Sequence, residues 1–148
     1  MRFPRLLAAA LMLGSCVFAC EAADLTVTVQ NLRSNQGQVL LCVFFAENSI
    51  VGEFPDCVKG RPVRTAKGAI SAGKAVVTFN GLKDGIYAVA ITHDEDGNGQ
   101  LDTNFLGMPT EGVGVSTNPR VFGKPRFEQG QFPIKGNTGI IIEAKYIL

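Results

Sequence analysis

Beyond its first two dozen residues, this chain has no stretch in which apolar side chains recur at the 3.6-residue spacing of a helix. Where they recur, they alternate. Residues 25–29 read Leu-Thr-Val-Thr-Val, the period of a half-buried strand. Residues 38–45 form a nearly continuous apolar run after the turn chemistry of Asn35-Gln36-Gly37, and the spacing predicts a hairpin with 25–29. Residues 74–80 and 86–92 alternate again, and the glycines at 81 and 85 predict a second hairpin between them. One short strand is expected within 127–134 and a last one over 139–148, with Ile140, Ile142, Ala144 and Tyr146 on one face. Residues 47–68 are irregular, because Pro55 and Pro62 block ladder hydrogen bonds. The sum is an all-β, antiparallel β-sandwich of about seven strands.

Residues 1–22 have the layout of a secretory signal: Arg2 and Arg5, an apolar run over 6–19, and small residues before a cleavage point after Ala22. The apolar run is shorter than the ~20 residues of a spanning helix, and no later segment is long enough for a transmembrane span. Leu13-Gly14-Ser15-Cys16 offers an alternative, a lipoprotein anchored through Cys16. Residues 23–148 then form a single domain, periplasmic or secreted. That compartment suits Cys42 and Cys57, the pair left beyond the leader, as a disulfide. Without Arg2, Arg5 and Glu21 the formal charge of +1 becomes zero. A neutral chain carries no basic footprint for nucleic acid and no polybasic membrane patch. Lys59, Arg61, Arg64 and Lys67 make a small basic cluster, expected to be a solvated loop. Its reading as an anion-binding patch lacks aromatic or Gly-loop support.

Residues 93–125 show no periodicity, and a Gly-rich loop this long in a small domain is usually functional or internally held. Its first part, 94–102, reads D-x-D-x-N-G-x-x-D. Calcium takes six to eight oxygens, and a loop with oxygens at alternate residues can wrap one ion. On the EF-hand spacing the ligands fall on Asp94, Asp96, Asn98, Gln100 through its carbonyl, and Asp102, with Gly99 at the sharp turn and Leu101 as an inward apolar anchor. The twelfth position, a bidentate Glu in that pattern, is Phe105, so further oxygens must come from Asn104 or Glu111 and the affinity should be weak, about 10⁻⁴ to 10⁻³ M. The competing reading is a self-bonded Asp/Asn/Gly turn, which leaves the mutual repulsion of the three aspartates unrelieved.

Other constellations are weaker. His93 beside Asp94, with Ser116 as a nucleophile, lacks a G-x-S-x-G elbow. No lysine follows Gly97-Asn98-Gly99, so this is not a phosphate loop.

Three linked stretches, Gly81-Leu82-Lys83-Asp84-Gly85-Ile86-Tyr87, then His93 through Asn104, then Gly107-Met108-Pro109-Thr110-Glu111-Gly112-Val113-Gly114-Val115-Ser116, resemble the bacterial domain-of-unknown-function family 2141. The resemblance implies a secreted β-rich domain without assigned activity, in which the acidic loop and the Pro-Thr-Glu-Gly stretch form one unit. The Gly81–Tyr87 run is also similar, more loosely, to transthyretin-like and carboxypeptidase-regulatory-like sandwiches, which implies an Ig-like or prealbumin-like fold. The functional expectation is a non-catalytic module whose calcium-stabilised loop presents a surface to a protein or envelope ligand. The rivals are a small periplasmic hydrolase using His93 and nearby carboxylates, and a carrier of a small apolar ligand held between the sheets.

Overall fold

The computed structural model describes residues 14–15 and 22–148. The expected leader and Cys16 lie almost entirely outside the described residues. Eight strands follow in chain order: β1 (Ala23–Gln30), β2 (Gln38–Phe45), β3 (Arg64–Gly68), β4 (Ala75–Leu82), β5 (Gly85–Asp94), β6 (Gly112–Val115), β7 (Phe132–Ile134) and β8 (Thr138–Glu143), with one helical turn, α1 (Phe127–Gly130), before β7. They form two sheets, ordered β4-β1-β8 and β3-β2-β5-β6, with β7 pairing β5. The chain is an all-β sandwich.

Alternation is honoured where it was read. Leu25, Val27 and Val29 point into the sandwich while Thr26 and Thr28 point out, and Ile142 is buried while Ile141 is exposed. Both expected hairpins are corrected. β1 lies in one sheet, between β4 and a parallel β8, and β2 lies in the other, between β3 and β5. The Gly81–Gly85 turn likewise carries the chain from β4 in one sheet to β5 in the other. The reason is burial. β1 has one apolar face, which one core satisfies. β2 has two, so it takes a central place in a sheet covered on both sides.

Those coverings are separate. Val39, Leu41, Val43 and Phe45 of β2 join Tyr87, Val89 and Ile91 of β5, Leu25, Val27 and Val29 of β1, and Ile142 in the core between the sheets. These side chains fill the space where an apolar ligand would have to sit. Cys42 and Phe44 of β2 and Ala88 and Ala90 of β5 face the other way, under Phe54, Val115 and Phe127. Phe54 meets Phe44 edge-on at 5.1 Å and Phe127 at 5.9 Å. The expected disulfide joins Cys42 to Cys57, with Cα atoms 5.9 Å apart, and ties the β2–β3 connection onto this outer face.

Strands β3 and β6, in stretches read as irregular, are short edge strands. Arg-Thr-Ala-Lys-Gly carries no apolar stripe, and Gly-Val-Gly-Val gives the outer core only Val115.

Candidate metal centre

Strand β5 ends where the acidic loop begins. His93 points inward with Tyr87, Val89 and Ile91, and Asp94, the next residue, points to the opposite side. Asp94 has zero exposure. It lies opposite Gln38 in the β2–β5 ladder, and the Gln38 side chain donates to its Oδ2 at 2.8 Å. The N–H groups of Asn98 and Gly99 donate to Oδ1 and Oδ2 at 3.1 and 2.9 Å. The loop therefore curls around the Asp94 carboxylate, and left-handed Gly97 and Gly99 let it do so. On the other side, the turn between β1 and β2 presses against this corner. A Cβ on Gly37 would lie 1.9 Å from the Asp94 carbonyl oxygen, so only glycine fits there.

A carboxylate from the far end of the loop closes the site. Glu111, 5% exposed, accepts the Glu95 N–H at 2.9 Å on Oε1 and the Asp102 N–H at 3.1 Å on Oε2. Ligand oxygens of Asp94, Asp96 and Glu111 all lie within 4.8 Å of one another. Two oxygens on opposite sides of a calcium ion, each at 2.3–2.6 Å, are separated by about that distance. Asp94 Oδ1 and both Glu111 oxygens each accept one backbone N–H and keep lone-pair capacity for a cation, whereas Asp94 Oδ2 already accepts two donors. The donor set is all oxygen, which suits a hard cation.

The charge in the cluster is uncompensated by any basic side chain of the loop, since residues 94–111 contain five acidic residues and no Lys or Arg. Burial works to raise the pKa of Asp94, but hydrogen bonds from Gln38, Gly99, Asp96 and Asn98 outweigh it and hold the carboxyl below its usual value. For Asp96 the balance reverses. The Asn98 N–H works to lower its pKa, yet desolvation and the neighbouring Asp94 and Asp102 push it up. A divalent cation would relieve this crowding.

The other expected ligands are arranged differently. Asn98 donates its side-chain amide to Asp96 Oδ2 at 3.1 Å and Asp102 Oδ1 at 2.9 Å, while its Oδ1 accepts the Gln100 N–H at 2.9 Å. Asp102 is thus joined to Asp96 through an amide, and the Gln100 side chain is exposed. The Oδ1 of Asn104 accepts the N–H groups of Leu106 and Met108 and so caps the tip of the loop. Leu101 is corrected outright, being 41% exposed rather than an inward anchor. With 94% exposed Phe105, and with Leu106 and Met108, it gives the finger an apolar tip.

His93 does not face the cluster. It is fully buried, its Nε2–H donates to the Gln36 carbonyl at 2.9 Å, and its Nδ1 pairs with the Tyr146 hydroxyl at 2.7 Å. Both ring nitrogens are engaged away from solvent, which removes it as an acid–base residue. Ser116 is structural as well. β6 covers the second half of the β5 edge and β7 the first. Ser116 fills the gap, its N–H donating to Val89 O and its Oγ accepting the Val89 N–H, both at 2.9 Å, and its hydroxyl donating to Gly130 O.

Arg33 went unread in the sequence. It pairs with Glu95 at 2.7 Å, donates to the carbonyls of Thr110 and Leu148, and lies 4.5 Å from the Tyr146 ring centre. It neutralises the one acidic residue of the loop that turns away from the cluster and links the loop's two ends. Only a basic residue after a predicted strand marked it, and such residues are common.

Fold and site together define a two-sheet β-sandwich with a carboxylate-lined loop at one pole. The chain belongs to the family described as "Uncharacterized protein conserved in bacteria (DUF2141)", whose model matches residues 27–141. That match spans both sheets and the whole acidic loop. No curated protein and no solved structure matches the chain. The looser likeness to transthyretin-like sandwiches therefore rests on the Gly81–Tyr87 run alone. No helix among the described residues is long and apolar enough to cross a membrane.

Proposed function

We propose that this chain is a non-catalytic module of the bacterial envelope or exterior whose β5–β6 loop is ordered by one calcium ion and presents its apolar tip to a partner. The observation that carries the reading is the convergence of Asp94, Asp96 and Glu111 oxygens from both ends of an 18-residue stretch, 94–111, around one point. A cation there clamps the base of the finger that displays Phe105 and Leu106. Asn98 and Asp102 adjoin this cluster through the Asn98 amide, which bonds both Asp96 and Asp102, and would supply further oxygens after side-chain rotation. The location is supported by the layout of residues 1–22 and by the Cys42–Cys57 disulfide, which oxidising compartments sustain.

Thermal unfolding in chelator and in millimolar calcium tests the site, beside Asp94→Ala and Glu111→Gln. The expected result is a rise of a few degrees in wild type that both variants lose, because calcium binds only the folded loop. An unchanged wild-type midpoint overturns the metal reading and leaves a self-bonded turn. Mass spectrometry of the cell-derived N-terminus separates cleavage after Ala22 from lipid attachment at Cys16.

A further inference from the structure

The zero net charge expected beyond residue 22 conceals a separation. Residues 94–111 hold five acidic and no basic side chains. On the outer face of the β3-β2-β5-β6 sheet, two segments distant in sequence lie side by side. One is the disulfide-tied connection after β2, in which Glu53 and Asp56 precede the exposed Val58, Lys59 and Arg61. The other precedes α1 and reads Arg120-Val121-Phe122-Gly123-Lys124-Pro125-Arg126. Phe54 of the first packs on Phe127 beside the second, and a cleft of about 310 Å³ between them is lined by Val51, Phe54, Lys124 and Arg126, with Glu128. Asp56, at the base of the first segment, feels the charge of both Lys59 and Lys124. Val58 is 86% exposed, Phe122 is fully exposed, and open space surrounds Gly123 beside it. The aromatic residue that the basic cluster lacks in its own sequence neighbourhood thus arrives from a second loop.

We infer that this patch, formed by Val58, Lys59, Phe122, Lys124 and Arg126, docks the protein onto an anionic lipid surface. Cationic side chains interleaved with a projecting aromatic suit an interface in which headgroup phosphates meet the lysines and arginine while the ring enters the acyl boundary. Phe122 stands fully exposed on the patch. A soft phase receives such a side chain anywhere, whereas a folded partner needs a matching pocket and an interface near 1,000 Å² to be specific. The disulfide anchors Cys57 beside Val58 and Lys59, and Phe127 in the outer core anchors the chain just after Arg126. This inference does not rest on the metal reading.

The chain contains no tryptophan, so Phe122→Trp supplies a unique reporter. The test mixes purified residues 23–148, in chelator, with vesicles of phosphatidylcholine alone or with one third phosphatidylglycerol, and follows cosedimentation and tryptophan emission. The expected result is binding to the anionic vesicles only, with a blue shift of the Trp emission. Lys124→Glu should weaken partitioning at least about fivefold and Phe122→Ser about tenfold. Lys74→Glu, an equal charge change just before β4 of the other sheet, should leave it unchanged. All these side chains are exposed, and unaltered melting shows that the variants fold. Four outcomes overturn the inference: no binding to anionic vesicles, equal loss in Lys74→Glu, binding without an emission shift, or capture by polyglutamate but not by vesicles, which assigns the patch to an acidic protein instead.

Discussion

The segment between β2 and β3 and the segment between β5 and β6 leave the same sheet, and each is long and mostly irregular, yet they are held by opposite means. The first is fastened by the Cys42–Cys57 bond and by Phe54 wedged between Phe44 and Phe127. The second has its exposed apolar residues at its tip and is organised by side-chain oxygens accepting backbone N–H groups around Asp94 and Glu111. Apolar burial and a covalent bond depend weakly on ions. A cluster of carboxylates depends on them strongly, since any cation that enters changes its energy. One loop is therefore fixed by contacts that ions leave unchanged, and on the proposed calcium reading the other responds to them.

The comparison breaks first at Phe54. Phe54→Ala should cost about 3–5 kcal/mol, read by urea unfolding, because it empties the centre of the outer core. The calcium response at the distant loop should persist. Removing the disulfide with Cys42→Ala/Cys57→Ala should cost about 3 kcal/mol for a loop of this length, again with the calcium shift retained. Calcium itself should add only about 0.4–1.4 kcal/mol at roughly millimolar concentration, given a weak extracellular-type site. Gly37→Ala should diminish that increment in a calcium titration of the midpoint, since the added methyl strikes the Asp94 backbone. The smallest effect belongs to Asp56. N–H groups of Lys59 and Val58, against some burial, hold its pKa below the ordinary value, with Lys59 and Lys124 adding to the shift. A folded-state pKa below the unfolded one gives stability present above the unfolded value and lost as pH falls through the folded one. The difference in urea midpoint between wild type and Asp56→Asn should therefore shrink as the solution is acidified, while the calcium-free Asp94 loop contributes its own separate acid dependence.

Much of the fold was legible because single residues report their own surroundings. Thr26 and Thr28 between Leu25, Val27 and Val29 declare a one-sided strand, and so do Glu143 and Lys145 between Ile142, Ala144 and Tyr146. Pairing was not legible in the same way. The shortest connection suggested that β1 meets β2 and β4 meets β5, whereas the two-sided burial of Leu41 and Cys42 on adjacent positions of β2 requires neighbours from elsewhere. Edge strands β3 and β6 escaped because they contribute backbone more than core. At the candidate site, the Asp94–Asp102 run was visible as a motif, but which oxygens meet was not. Glu111 enters because β6 returns antiparallel to β5 and brings Gly112 opposite His93. Leu101 was misplaced because the helical frame that turns such a residue inward in an EF-hand is absent here, where a strand enters the loop and a finger leaves it.

The parallel pairing of β1 with β8 sets an order in time. Leu25 lies beside Thr138 and Gln30 beside Glu143, partners 113 residues apart. The middle strand of the smaller sheet is among the earliest parts of the domain to be made and among the last to be completed. During synthesis its outer edge waits until nearly the whole chain has emerged. Such distant closure slows folding and exposes an apolar edge meanwhile. Refolding should be slow compared with a helical protein of equal length, and chaperone dependence during folding should track truncations that delay or remove residues 138–143.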